Sequence, residues 1–165
     1  MPRLQASRSA QYILEQDFIF NHNMWVVDSV DGAKKTLGST VALSTDPAEP
    51  LLTGPVANTI VFDCMPMPPG AVITGGMMFV ETAVTGSTAY TVSLGIPGST
   101  TALLNAQSAL SAGRTALTLT APLVAANGQN LRATIAYTVA NATAGRIRLR
   151  VEYTIDGRAN EVQAA

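Results

Sequence analysis

Arg146-Ile-Arg-Leu-Arg-Val-Glu-Tyr-Thr-Ile155 decides the fold class, because its apolar residues fall on every odd position and its polar residues on every even one. Only an extended strand, whose side chains alternate between two faces, turns that spacing into one apolar and one polar surface. Immediately upstream, Leu131, Ala133, Ile135, Tyr137 and Val139 alternate with Arg132, Thr134, Ala136 and Thr138 in the same way. The small-residue stretch Ala140-Asn141-Ala142-Thr143-Ala144-Gly145 lies between the two runs, so they are expected to pair antiparallel as a hairpin.

Moving towards the N-terminus, Tyr90, Val92, Leu94 and Ile96 alternate with Thr91, Ser93 and Gly95 up to a Pro97-Gly98 turn, and Leu117 and Leu119 alternate with Thr118 and Thr120. Asn127-Gly128 suits a tight turn with positive φ before the Leu131 strand. Ala71-Val-Ile-Thr and Met77-Met-Phe-Val-Glu-Thr flank Gly75-Gly76, which reads as one long strand bulged at its glycines. Residues 58–63 supply another strand, closed by Met65-Pro-Met-Pro-Pro-Gly70. Residues 101–110 carry Leu103, Leu104 and Ala106 at near-helical spacing, and one or two helical turns are expected there. Residues 11–20 and 24–30 are candidate strands, while residues 31–55, rich in Gly, Ser, Thr, Asp and Pro, read as a long loop or arm. The expected architecture is all-β: an antiparallel β-sandwich or jelly roll of about eight strands. Residues 1–57 are read as an N-terminal arm or strands contacting a partner, and residues 58–165 as the sandwich, together forming one structural unit.

Composition agrees with that architecture and limits the function. A length of 165 residues suits one domain. The chain is 47% hydrophobic but only 13% charged, about half the usual charged share. A surface so poor in charge favours association, so a homo-oligomer is expected. The net charge of −1 gives no global footprint of a nucleic-acid binder. Residues 82–113 lack any charge, yet Thr, Ser, Gly, Asn and Gln interrupt them too often for a membrane helix. The start Met1-Pro2-Arg3-Leu4-Gln5 does not open an apolar secretion signal, which points to use without export and leaves the Asn141-Ala142-Thr143 acceptor pattern as a turn.

Catalytic chemistry finds few candidates. His22 is the only histidine and Cys64 the only cysteine, so neither a nucleophile–base pair nor a tetrahedral metal shell can be assembled from sequence. Cys64 lies in an apolar run and reads as a buried thiol. Glu15 with Asp17, and Asp28 with Asp31, lack the calcium-loop spacing and read as solvated loop acids. Gly70 to Gly76 lacks the lysine and helix of a phosphate cradle. Not an enzyme, then, with no catalytic, cofactor or metal residues: that is the expectation. Arg146, Arg148 and Arg150 share one face, with Arg132 expected on a neighbouring strand. They are read first as a solvated face, second as a protein interface and last as a grip on phosphate. Trp25, the only tryptophan, is a core residue or an interface anchor, and the core is favoured.

Three pieces resemble a loose group of tailed-bacteriophage virion proteins that decorate the head or are packaged with it. They are Met65-Pro-Met-Pro-Pro-Gly-Ala-Val-Ile-Thr-Gly-Gly-Met-Met-Phe-Val-Glu-Thr82, then Tyr90-Thr-Val-Ser-Leu-Gly-Ile with Leu103-Leu104 and Ser111-Ala-Gly-Arg-Thr-Ala-Leu117, and finally Thr143-Ala-Gly-Arg-Ile-Arg-Leu-Arg-Val-Glu-Tyr-Thr-Ile-Asp-Gly-Arg-Ala-Asn-Glu161. The resemblance implies a β-sandwich or jelly-roll cement subunit, often trimeric, on the outer surface of a phage head. Its implied partners are the major capsid protein and further copies of itself, with no nucleic acid and no membrane. It carries over no capsid-contact residue. A tail or head-tail junction component, and a β-sandwich carbohydrate module for host attachment, are the alternatives.

Overall fold

In the computed structural model the described residues are 13–32, 34–38, 59–119, 123–125, 128–138 and 142–155. The strands are β1 (Leu14–Asn21), β2 (Trp25–Val27), β3 (Lys34–Thr36), β4 (Thr59–Met67), β5 (Ala71–Thr85), β6 (Tyr90–Ile96), β7 (Ser99–Ser108), β8 (Gly113–Ala116), β9 (Leu123–Ala125), β10 (Gln129–Tyr137) and β11 (Ala144–Ile155). One sheet has the order β1-β11-β5-β8, with β9 continuing the β8 edge of β5. The second has the order β4-β10-β6-β7, and β2 and β3 form a separate ribbon.

All pairings are antiparallel, and they nest: β1 with β11, β4 with β10, β5 with β8, β6 with β7. The first of the eight body strands pairs with the last, the second with the seventh, and so inward to the central hairpin. This is the winding of a jelly roll, in which two four-stranded layers face each other. Period-two patterning explains the layers. Ile147, Leu149 and Val151 of β11 and Leu131, Ala133 and Ile135 of β10 are fully buried, and their polar neighbours point outward. The expected hairpin between β10 and β11 does not exist. They lie in opposite sheets, β10 between β4 and β6 and β11 between β1 and β5. Alternation records that each strand has a buried face, and two such strands satisfy it equally by facing each other across the core. Of the proposed turn, Ala140 and Asn141 lie outside the described residues, as do Asn127 and residues 39–58, which hold most of the proposed long loop.

The long bulged strand is present as β5. Against β11, Glu152 faces Gly75 while Tyr153 faces Ile73, so Thr74 is the extra residue beside the glycines. The bulge changes which β11 residue turns inward, so that Thr154 is buried and Tyr153 only half-buried. Residues 101–110 are strand, not helix, and belong to β7. The pairing of β7 with β6 shifts twice, and Ala106 takes φ 45° with its N–H donated to the buried Ser93 Oγ at 2.9 Å. Extra residues in β7 break the period of two, which placed Leu103 and Leu104 side by side in the core and imitated helical spacing. The strand expected around Leu117 and Leu119 falls earlier, at β8; Thr118 N–H leaves that sheet and donates to Leu103 O at 2.8 Å in the facing one. β1 pairs along its whole length with β11, so the sandwich draws one of its strands from the region before residue 58.

Candidate functional site

The three arginines of β11 do share the outer face of the first sheet, but they are spent on acids from both neighbouring strands. Arg150 donates from Nε and Nη2 to the two carboxylate oxygens of Asp17 on β1, at 2.9 and 3.0 Å, and its Nη1 lies 3.1 Å from Glu15. Arg146 Nε lies 2.7 Å from Glu81 of β5; Arg148 also donates to Glu81, and its guanidinium sits 5.9 Å from the Phe79 ring centroid. Glu15 and Asp17 are therefore strand residues in ion pairs, not loop acids. Arg132 is not on a neighbouring strand: it lies in the other sheet, paired with Asp63 at 2.8 Å. A ladder neutralised in this way offers no cluster of unpaired cations to a phosphate backbone.

Electrostatics follow from these contacts. The hydrogen bonds from Arg150 hold the Asp17 carboxyl below its ordinary value, outweighing partial burial. For Asp63, burial pushes the carboxyl up, but hydrogen bonds from Asn130 and Arg132 outweigh it and leave it lowered. A carboxylate lowered on folding contributes stability above its unfolded value, about 3.9, and loses it as pH falls through the folded one. The melting temperature is thus expected to fall as pH is taken from about 5 to about 3, with a smaller fall in Asp17→Asn, as calorimetry at both pH values reads. The effect is modest because both carboxylates remain partly exposed.

Beside β1 lies a feature the residue patterns did not announce. β1 and β4 are edge strands of opposite sheets, and the β2–β3 ribbon lies at the seam between them. The ribbon is anchored at its turn, where Ser29 N–H donates to Val61 O of β4 at 2.6 Å, and at its exit, where the Tyr90 hydroxyl donates to Leu37 O at 2.6 Å. Asp28 and Asp31 are not solvated loop acids. Asp28 is 2% exposed and each carboxylate accepts from Lys35 Nζ at 2.6 Å, while Asp28 also accepts from Val30 N–H at 2.9 Å. Burial pulls Lys35 down, but these hydrogen bonds outweigh it and its pKa is raised. The spacing Trp25-Val26-Val27, a turn from Asp28 to Gly32, then Lys34-Lys35-Thr36 was the available signal for this ribbon.

Trp25 is not a core residue. On the ribbon Val26 points inward, so Trp25 and Val27 on either side point out, and Trp25 is 62% exposed with Lys34 Nζ 5.3 Å from its ring centroid. Next to it is an open groove of about 340 Å³ lined by Phe18, Met24, Val26, Val27, Ser29, Phe62 and Asp63. Its floor reaches the aromatic cluster of Phe18, Phe20 and Phe62, whose ring centroids are 5.9 to 6.3 Å apart. The exposed large hydrophobic residues among those described are Ile13 just before β1, Ile19 on its outer face beside Asp17, and Trp25, Val27 and Val30 of the ribbon and its turn.

Cys64 is the extra residue of a β4 bulge, since Leu131 faces Met65 and Arg132 faces Asp63. It is half-buried, donates its S–H to Leu131 O at 3.3 Å, and burial pushes its thiol up to about 12. A thiol-exchange reagent at neutral pH is therefore expected to label Cys64 slowly in the folded protein and fully within minutes in denaturant, as absorbance would follow; equal rates would contradict the burial. His22 follows β1, its backbone N–H donating to Gly145 O at 3.2 Å and its Nδ1 buried without a hydrogen bond. Among the described residues no three His, Cys, Asp or Glu side chains gather as a metal site would require.

No protein-family model and no curated protein matches the chain. Among solved structures it is similar in fold to the cyanophage Pam1 capsid asymmetric unit, with 16% identity, 88% of this chain and 86% of that chain covered, and a TM-score of 0.52.

Proposed function

We propose that this chain is a non-enzymatic structural protein of a phage virion, and that it decorates the outside of the head by associating with itself and bridging subunits of the major capsid protein. The observation that carries this reading is the nested jelly roll of this chain, 88% of which is similar in fold to the cyanophage Pam1 capsid asymmetric unit. Support comes from the residue resemblance, from the low charge, and from a first-sheet face whose ions are already paired among themselves. The non-enzymatic part draws on the residue resemblance, with the thiol of the half-buried Cys64 pushed up by desolvation away from the reactive thiolate form. Residues 1–57 are proposed to carry the partner contacts. Each contact is weak alone, and a trimer engaging several capsid subunits at once gains through multivalency.

Cryo-electron microscopy of the parent particle, after mass spectrometry has located the chain in it, tests the proposal. Density repeated over the capsid lattice in threefold clusters is the expected result. Density confined to neck or tail would transfer the chain to the head-tail junction, and absence from the particle would end the virion reading. The exposed Trp25 ring favours a second reading, a carbohydrate module for host attachment, although Lys34 already covers one part of that ring. Glycan-array binding lost in Trp25→Ala would support it.

A further inference from the structure

We infer that two copies of this chain pair edge to edge through β1, antiparallel and centred on Phe18, so that their first sheets join into one continuous sheet. This rests on the self-association in the proposed function and names one surface that makes it, a two-fold contact in addition to the threefold one.

Unpaired backbone groups at a sheet edge invite another strand, and proteins guard such edges with prolines, bulges, short strands or covering segments. Among the described residues every edge but one is guarded in this way. β4 holds Pro66 and the bulge at Cys64, and its Val61 O accepts from Ser29 N–H. β7 shifts register twice, and its Leu103 O accepts from Thr118 N–H. β8 and β9 are only four and three residues long. β1 has none of these devices: it is eight residues without proline, paired to β11 in unbroken register. Its acids do not guard it either, since Glu15 and Asp17 are both paired with Arg150.

The free groups of that edge can be assigned. His22 N–H donates to Gly145 O, and bonded positions alternate along an antiparallel ladder, so Leu14, Gln16, Phe18 and Phe20 turn their N–H and C=O towards β11. Glu15, Asp17 and Ile19 turn theirs outward, where no backbone group among the described residues bonds them. The residues of β1 select a second β1 as the strand that does. Centred on Phe18, the pairing sets Asp17 opposite Ile19 and Glu15 opposite Asn21 in both directions, so no like charges meet. Moving the centre to Asp17 sets that carboxylate against its own copy, and moving it to Gln16 sets Glu15 against Asp17, arrangements that repulsion disfavours. The same register covers Ile19, 41% exposed, and places the half-buried Phe18 of each copy opposite the other at the axis.

Sedimentation of the full chain over a dilution series is expected to show an association step that Ile19→Pro weakens roughly 30-fold or more, because proline there removes an outward N–H and leaves the bonds to β11 in place. Arg114→Ala on the β8 edge should leave that step unchanged, with circular dichroism showing both variants folded. Oxidation reads the register. Phe18→Cys on a Cys64→Ser background should form a disulfide-linked dimer, since opposite residues of a non-hydrogen-bonded pair lie about 4.5 Å apart at Cα, whereas Ile19→Cys on the same background, offset from its copy, should not. Cross-linking of neither variant, or of both equally, would overturn the β1 pairing. Association unmoved by Ile19→Pro would overturn it as well and leave self-association to another surface. Protection of the β1 edge from hydrogen exchange only when capsid protein is added would give the edge to that partner instead. A chain monomeric at every concentration would also end the pairing, and the particle density would then judge the virion reading by itself.

Discussion

Phe62→Ala is expected to cost about 3–5 kcal/mol of folding stability, the range for truncating a buried aromatic in a core. Phe62 is 2% exposed and touches two other rings, Phe18 at 5.9 Å and Phe20 at 6.3 Å between centroids, from the facing sheet. Its removal therefore takes contacts from both layers at the seam where β1 and β4 meet. Collapse cannot fill the space cheaply, because β1 is fixed in register by eight residues of pairing with β11, from Leu14 opposite Tyr153 to Asn21 opposite Arg146. Urea titration should show the midpoint fall by roughly 2 M with an unchanged slope. Phe18→Ala, at the half-buried member of the trio, should cost less. A loss below about 1 kcal/mol for Phe62→Ala would mean that the two sheets do not close on these rings.

Gly76→Ala is the second large effect, expected to cost about 3 kcal/mol or more for adding a single methyl group. Gly76 has φ +147°, a conformation that L side chains rarely adopt. A Cβ there would also run into the carbonyl oxygen of Arg150 and come within 2.7 Å of Leu117 Cδ1 and 3.1 Å of Val151 Cα. Two of these obstacles are backbone atoms of β11, which cannot turn away as a side-chain end can. The methyl would act as a wedge between the two central strands of the first sheet and disturb the bond that Leu117 N–H gives to Gly76 O at 3.0 Å. Gly113→Ala is the control, because a Cβ there meets nothing within 4 Å, and its effect should stay within about 0.5 kcal/mol. Equal thermal midpoints for the two variants would refute the wedge.

These two positions also mark what the sequence made legible. Gly75-Gly76 between apolar alternations announced one bulged strand, since glycine inside a strand has few other reasons to be there, and β5 is that strand. The apolar faces of β6, β10 and β11 were equally readable from their period of two. Their partners were not. Burial of one face fixes orientation and says nothing about which sheet a strand joins, so β10 and β11 read as neighbours when they lie in opposite sheets. β7 was misread because its bulges change the parity on which the reading depends. The ribbon was legible only in part: residues 24–30 read as a strand and hold β2, but β3 was hidden in the expected loop, because Asp28 and Lys35 look like surface residues until their pairing shows that each makes the other's burial tolerable. Trp25 was read as core ahead of interface anchor, where one step of register on β2 puts Val26 inside instead.

The pairing of β1 with β11 has a consequence for how the protein comes into being. β11, the last described strand, lies between β1 and β5, so neither of those earlier strands has a neighbour in common with the other until β11 arrives. A chain growing from a ribosome can form the β6–β7 hairpin early, but the first sheet stays open until residue 155 has left the exit tunnel. Loop closure over such a separation is slow, and the backbone edges that β1 and β5 present to β11 remain unpaired meanwhile. Synthesis interrupted before β11 therefore yields not a smaller version of the fold but an aggregation-prone chain.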